Sequence, residues 1–143
     1  MTQIDFYLLG DSARHNTDSV TCRLVQKAYQ QGHQVCVLTQ NREHSQKLDQ
    51  LMWTFDPNSF IPHEVQENGS DNNTSAPVII THETPPENLH DILISLGDKT
   101  PAGFSRFNRL AEIIDNSDNA KEQARERYRF YRDRGYPLNT HEL

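Results

Sequence analysis

The sequence predicts an α/β protein with an open, largely parallel or mixed sheet of the Rossmann-like kind and helices on both faces. Two observations carry that expectation. Short apolar runs of strand length recur at Ile4 to Leu9, Val35 to Leu38, Val78 to Ile80 and Ile92 to Leu96, and helix-period segments separate several of them. The chain has 143 residues, inside the usual span of one domain, about 100 to 200 residues. Residues 1–143 are therefore expected to form a single domain, without repeat or linker.

The first run, IDFYLL, ends at Gly10 and Asp11 and reads as a buried strand. After a polar connection, Thr17 or Asp18 can cap a helix whose apolar side carries Val20, Leu24, Val25 and Ala28, with Gly32 as its stop. Val35 to Leu38 then completes a strand, helix, strand unit, for which a right-handed crossover is expected. From Asn41 a second helix follows, with Leu48, Leu51, Met52 and Phe55 at i, i+3, i+4 and i+7 on its buried side. Trp53 is off that stripe. Asp56 and Pro57 end the helix, and Phe60, Ile61 and Pro62 form a short apolar island. The aperiodic polar stretch Gln66 to Ser75 (QENGSDNNTS) reads as a loop. Beyond the strands at Val78 and Ile92, separated by the turn Thr84 to Asn88, the segment Ala111 to Asp115 (AEIID) reads as a further strand. A last helix runs from near Asp118 to Arg134, stopped by Gly135.

Composition narrows the function classes. The formal net charge is −6, which argues against wrapping nucleic acid over a broad basic footprint. The apolar run near the N-terminus is too short for a signal or membrane helix, so a cytoplasmic location and no membrane partner are expected. Cys22 and Cys36 lack metal-type spacing and read as small core residues. The first strand-to-helix turn, Gly10-Asp11-Ser12-Ala13-Arg14-His15, has one glycine where a dinucleotide fingerprint has three, and it lacks the Gly-Lys-Ser/Thr of a phosphate loop. Asp11, Ser12 and His15 read as turn and capping residues. Of the seven histidines, none forms an i, i+4 pair on a predicted helix. His82, Glu83, His90 and Asp91 flank a proline-rich loop, where exposed polar residues need no special cause. No catalytic residue, metal or cofactor is expected, and the chain is not expected to be an enzyme.

The last twenty residues are the most informative. Arg125, Arg127, Arg129, Arg132 and Arg134 are crowded among Tyr128, Phe130 and Tyr131 in an otherwise acidic chain. On a helix, Arg125, Tyr128, Arg129 and Arg132 fall at i, i+3, i+4 and i+7 and share one face. Guanidinium captures carboxylates bidentately, and a neighbouring tyrosine offers flat apolar area, so the implied ligand is acidic and partly apolar. A solvated helix whose arginines pair with Glu122, Glu126 and Asp133 is the competing reading. Trp53 and Phe60 are candidate partner anchors of a second surface, or else plugs at the end of the core.

Several segments together resemble the chi subunit family of bacterial DNA polymerase III holoenzyme. They are FYLL (Phe6 to Leu9), WTFDPNSFIPH (Trp53 to His63), DILISL (Asp91 to Leu96), EIID (Glu112 to Asp115) and ARERYRFYRDRGYPLNT (Ala124 to Thr140), the last being the most specific. The resemblance implies a non-catalytic accessory subunit of the clamp-loader assembly. It implies two protein partners: the psi subunit, which tethers such proteins to the clamp loader, and the acidic C-terminal tail of single-stranded DNA-binding protein. Contact with DNA is then mostly indirect. By the same resemblance Arg125, Tyr128 and Arg129 bind the tail, with arginine at a position where the family also uses lysine. Arg132 joins them on the shared face, and Trp53 and Phe60 meet psi or a competitor for its surface. A further family contact falls just after EIID, where this chain has Asn116 and Ser117 in a shorter segment. The alternatives are a direct single-stranded DNA binder using the Arg/Tyr helix and, from the fold, a small nucleotide-dependent enzyme.

Overall fold

The structure, a computed structural model, describes residues 1–10, 16–67 and 76–143. In chain order it contains β1 (Gln3–Leu8), α1 (Thr17–Gln30), β2 (Val35–Leu38), α2 (Arg42–Thr54), β3 (His63–Gln66), β4 (Val78–Thr81) and β5 (Ile92–Ser95). A 3-10 turn at Phe104–Arg106, β6 (Arg109–Ile114), α3 (Asp118–Asp133) and β7 (Leu138–Glu142) follow. The seven strands form one sheet in the order β3-β4-β2-β5-β6-β1-β7. Every neighbouring pair is parallel, so the expected sheet is parallel throughout.

Alternation along the strands builds two cores. Val35, Val37, Val78, Ile80, Ile92, Ile94, Ala111 and Ile113 point to one face, where Val20, Cys22 and Val25 of α1 and Leu48 and Met52 of α2 cover them. On the other face Ile4, Phe6, Cys36, Ile79, Leu93, Leu110 and Ile114 meet Ala124 and Tyr131 of α3, with Leu89 and Phe107 from the connections. Each fully buried Ile, Leu or Val contributes roughly 1.5 to 3 kcal/mol, so both layers are substantial. Cys22 and Cys36 lie in opposite layers as free, buried thiols, each pushed up to about 12 chiefly by burial.

Some local expectations are corrected. Asn16, rather than Thr17 or Asp18, caps α1: its side chain accepts from the Ser19 amide at 2.8 Å while the Ser19 hydroxyl accepts from the Asn16 amide at 3.2 Å. This reciprocal box satisfies two amide donors at the start of the helix. Gln66 belongs to β3 rather than to a loop, and the rest of that predicted loop from residue 68 to 75 lies outside the described residues. The same is true of Asp11, Ser12 and His15. β7 has no counterpart in the sequence reading. It follows Gly135, whose φ of 81° is the left-handed conformation that ends α3 and turns the chain back to the sheet.

Two polar ties fix the region around α3. Asp5, buried on β1, takes Arg109 of β6 at 3.2 Å on one carboxylate oxygen and His141 of β7 at 3.1 Å on the other. On the opposite face, Glu112 is wholly buried on β6. It accepts from Arg127 Nε at 3.0 and 3.2 Å and from the Tyr131 hydroxyl at 2.8 Å. Arg127 also donates to the Asp98 carbonyl at 2.7 Å. Burial pushes the Glu112 carboxyl upward, with Arg127 and Tyr131 acting in the opposite sense.

Candidate functional site

Helix α3 lies across β6, β1 and β7 with its inner side set by Ala124, Arg127 and Tyr131, all buried. Those positions stand at i, i+3 and i+7, so the helix period turns Arg125, Arg129 and Arg132 toward solvent. Five arginines that look alike in sequence therefore divide. Arg127 is a core ligand of Glu112, Arg134 rests over the Phe130 ring at 3.6 Å, and Arg125, Arg129 and Arg132 are exposed.

A cleft of about 320 Å³ opens between α3 and the end of the sheet. Its apolar lining is Phe6, Leu8 and Leu9 from the first strand and its end together with Ala124 and Tyr128 of α3, while Lys121 and Arg125 supply cations. Tyr128 is set edge-on against Phe6, with ring centroids 5.6 Å apart, an arrangement that fixes its ring without consuming its outer face. Thr140 of β7 and Asp115 complete the wall. A neighbouring cleft of about 390 Å³ on the outer side of α3 is lined by Lys121, Arg125 and Arg129 with Asp118, Glu122 and Glu126.

Arg125 and Tyr128 thus share one cleft, and Arg125 and Arg129 share the next. Arg132 lines neither; it lies 3.5 Å from Asp133 in an exposed pair. Among the described residues, Arg125 and Arg129 make no hydrogen bond or ion pair, so the predicted pairing with Glu122 and Glu126 is not formed. Ser117 is engaged as the N-cap of α3, accepting from Ala120 at 3.1 Å, and the apolar side of the cleft comes from Leu8 and Leu9 instead. Sequence reasoning did not include Lys121, although it stands one turn before Arg125 on the same face. It could not find Leu9 or Thr140, because the sheet order alone brings β1 and β7 beside α3.

The second candidate surface lies at the other end of the sheet and on its other face. Trp53 leaves α2 45% exposed and Phe60 is 69% exposed, the only large exposed apolar side chains among the described residues apart from the terminal Met1 and Leu143. Their rings stand 5.5 Å apart. Phe60 is no core plug; Ile61 beside it is the buried member of that island.

At the carboxyl ends of β2, β4 and β5 a polar cavity of about 520 Å³ is lined by Thr39, Gln40, His82, Glu83, Asp98 and Lys99 among others. Among the described residues no group of three or more His, Cys, Asp or Glu side chains is placed to hold a metal ion, and no helix is long and apolar enough to cross a membrane.

The family model described as "DNA polymerase III chi subunit, HolC" matches residues 1–139. Over 143 residues the chain is 36% identical to the DNA polymerase III subunit chi of Pseudomonas aeruginosa, spanning 100% of this chain and 98% of that protein. It is 28% identical to the subunit chi of Escherichia coli K12, covering 98% and 97% of the two chains. Identity to the subunit chi of Haemophilus influenzae is also 28%, covering 94% and 93%. Among solved structures, the crystal structure of T4 UvsW aligns with a TM-score of 0.69 at 11% identity, covering 99% of this chain and 41% of that one. That last likeness is one of fold alone.

Proposed function

The chain belongs to the DNA polymerase III chi subunit family, and from that premise we propose that it is a non-catalytic accessory subunit joining the clamp-loader assembly to single-stranded DNA-binding protein. In this reading α3 grips the acidic C-terminal tail of that protein. The Trp53 and Phe60 face pairs with the psi subunit, and through psi the chain reaches the clamp loader.

The observation that carries the reading is the composition of the α3 cleft. An apolar floor of Phe6, Leu8 and Leu9 is rimmed by Arg125, a cation without a partner among the described residues, and by Lys121. A tail that ends in a hydrophobic residue and a free carboxylate matches both halves. The side chain enters against Tyr128, the carboxylate meets the guanidinium, and upstream acidic residues face Arg129. A cleft of about 320 Å³ accommodates one bulky side chain with its terminus. Ordering a flexible tail costs entropy, so moderate affinity with strong salt dependence is expected. The two faces lie on opposite sides of the sheet, which leaves room for both partners at once.

The test is titration of a tail peptide, with and without its final residue, against wild type, Arg125→Ala and Arg129→Ala. Losing a charge-assisted hydrogen bond of about 1.5 to 3 kcal/mol weakens binding roughly 10- to 100-fold, with no change in melting temperature. Equal affinity for all three proteins, or indifference to the final residue, would remove the assignment. Titration with bare oligonucleotide in parallel tests direct DNA binding through the exposed arginines, which the net charge of −6 disfavours.

A further inference from the structure

The exposed ring of Trp53 rests on a buried one. His63, the first residue of β3, has a side chain with no solvent exposure. Its Nδ1 lies 2.7 Å from the carbonyl oxygen of Ile61, and its Nε2 lies 3.1 Å from Oδ1 and 3.3 Å from the backbone carbonyl of Asp49. The Trp53 ring rests on the imidazole with centroids 4.1 Å apart.

One ring therefore ties α2, through Asp49 and Trp53, to the loop that carries Phe60 and Ile61. Asp49 stands one helical turn before Trp53 on α2, so the bond to Asp49 fixes the helix segment from which the indole projects. The contact with Ile61 fixes the backbone next to Phe60, on the loop between α2 and β3. The stacked face then sets the indole against which Phe60 leans at 5.5 Å. Aromatic anchors that are already ordered lose less rotamer freedom on association, and this is where preorganisation raises affinity.

We propose that His63 is a positioning residue for the partner face: it holds Trp53 and Phe60 in the geometry a partner reads and does not itself touch that partner. The inference rests on the reading of this face as the psi surface, but its first readout does not. Trp53 is the sole tryptophan of the chain, so its fluorescence reports on this patch alone.

The experiment compares His63→Ala, His63→Phe and His63→Gln in the full chain, measuring time-resolved anisotropy of Trp53 and affinity for psi. His63→Phe keeps a ring beneath Trp53 but removes the ring nitrogens, whereas His63→Gln removes the ring and keeps one amide nitrogen, able to donate toward Asp49 or toward Ile61 but not both. Fast local motion of the indole and an affinity loss of about tenfold, the cost of ordering freed anchors on association, are expected for Ala, with partial recovery for Phe through the retained ring and for Gln through the retained donor. Tail-peptide affinity at α3 stays unchanged in all three. An unchanged anisotropy decay in both Ala and Phe, or equal loss of psi affinity in all three variants, overturns the proposal. Should His63→Ala fail to fold, the Phe and Gln proteins decide alone. Trp53→Ala and Phe60→Ala separate the two claims. Undiminished psi binding in those variants refutes the psi reading, while the anisotropy arm still judges His63.

Discussion

Glu112 and Arg127 form a buried ion pair whose two halves should fail differently. Glu112 is 0% and Arg127 6% exposed, and they share two hydrogen bonds at 3.0 and 3.2 Å. Glu112→Gln leaves a guanidinium inside the protein with no anion, and arginine does not shed its proton at any pH a protein survives. Removing one partner of such a pair costs about 3 to 5 kcal/mol. At about 2 to 4 °C per kcal/mol for a chain of this size, the melting temperature falls by roughly 10 °C. Arg127→Met instead strands a carboxyl, and a carboxyl can become neutral by taking a proton. Burial already pushes Glu112 upward, and loss of the guanidinium pushes it further in the same direction.

The sign follows. A carboxyl whose folded pKa exceeds its unfolded one contributes its full stability below the unfolded value, near 4.3, and loses it as pH rises through the folded value. Arg127→Met is thus expected to be nearly as stable as wild type in the acidic range and to fall behind as pH increases, whereas Glu112→Gln shows no such recovery. Urea unfolding of the three proteins at pH 5 and pH 8 measures this directly. A pH-independent deficit for Arg127→Met, or equal deficits for both variants at both pH values, would refute the reasoning. Because Arg127 holds α3 while Arg125 projects from it, tail binding by folded Arg127→Met should survive.

Three further outcomes are expected. Cys22 and Cys36, each pushed up to about 12, have roughly one thiol in ten thousand ionised at pH 8; a chromogenic disulfide reagent should therefore label them only after addition of denaturant, and prompt native labelling contradicts the burial. Asn16→Ala removes the capping box of α1 and costs about 1 kcal/mol, read as a shift in the urea midpoint at unchanged slope. Phe60→Ala, at a side chain 69% exposed, changes stability by no more than about 0.5 kcal/mol while weakening co-purification with psi; a large loss of stability would mark it as a core residue.

The central strands were legible because burial on both faces of a parallel sheet demands continuous apolar runs such as VCVL and ILIS. The helices were legible from their period, and Trp53 stood out as the residue that broke it. β3 and β7 were not legible. HEVQ and LNTHE are outer strands with one unpaired side, and their pairing is set by β4 and β1 rather than by their own side chains. The division of the arginines was also hidden, since an arginine run looks uniform until the sheet supplies a buried carboxylate. The lone Glu112 inside the apolar run LAEII was the available signal, because a charge in a buried strand requires a counterion. Arg125, Tyr128, Arg129 and Arg132 were placed on one helix face from spacing alone, and the structure sets Arg125 and Tyr128 in one cleft with Arg129 beside it and Arg132 outside both.

The same two outer strands have a consequence for the company the molecule keeps. A long, flat, greasy border invites other chains to dock as extra strands, and assemblies then grow without limit. Here one border is four residues and the other five, and the latter presents Asn139, Thr140, His141 and Glu142 to water. A protein bordered in this way resists growth by fusion of sheets even where many copies are crowded together.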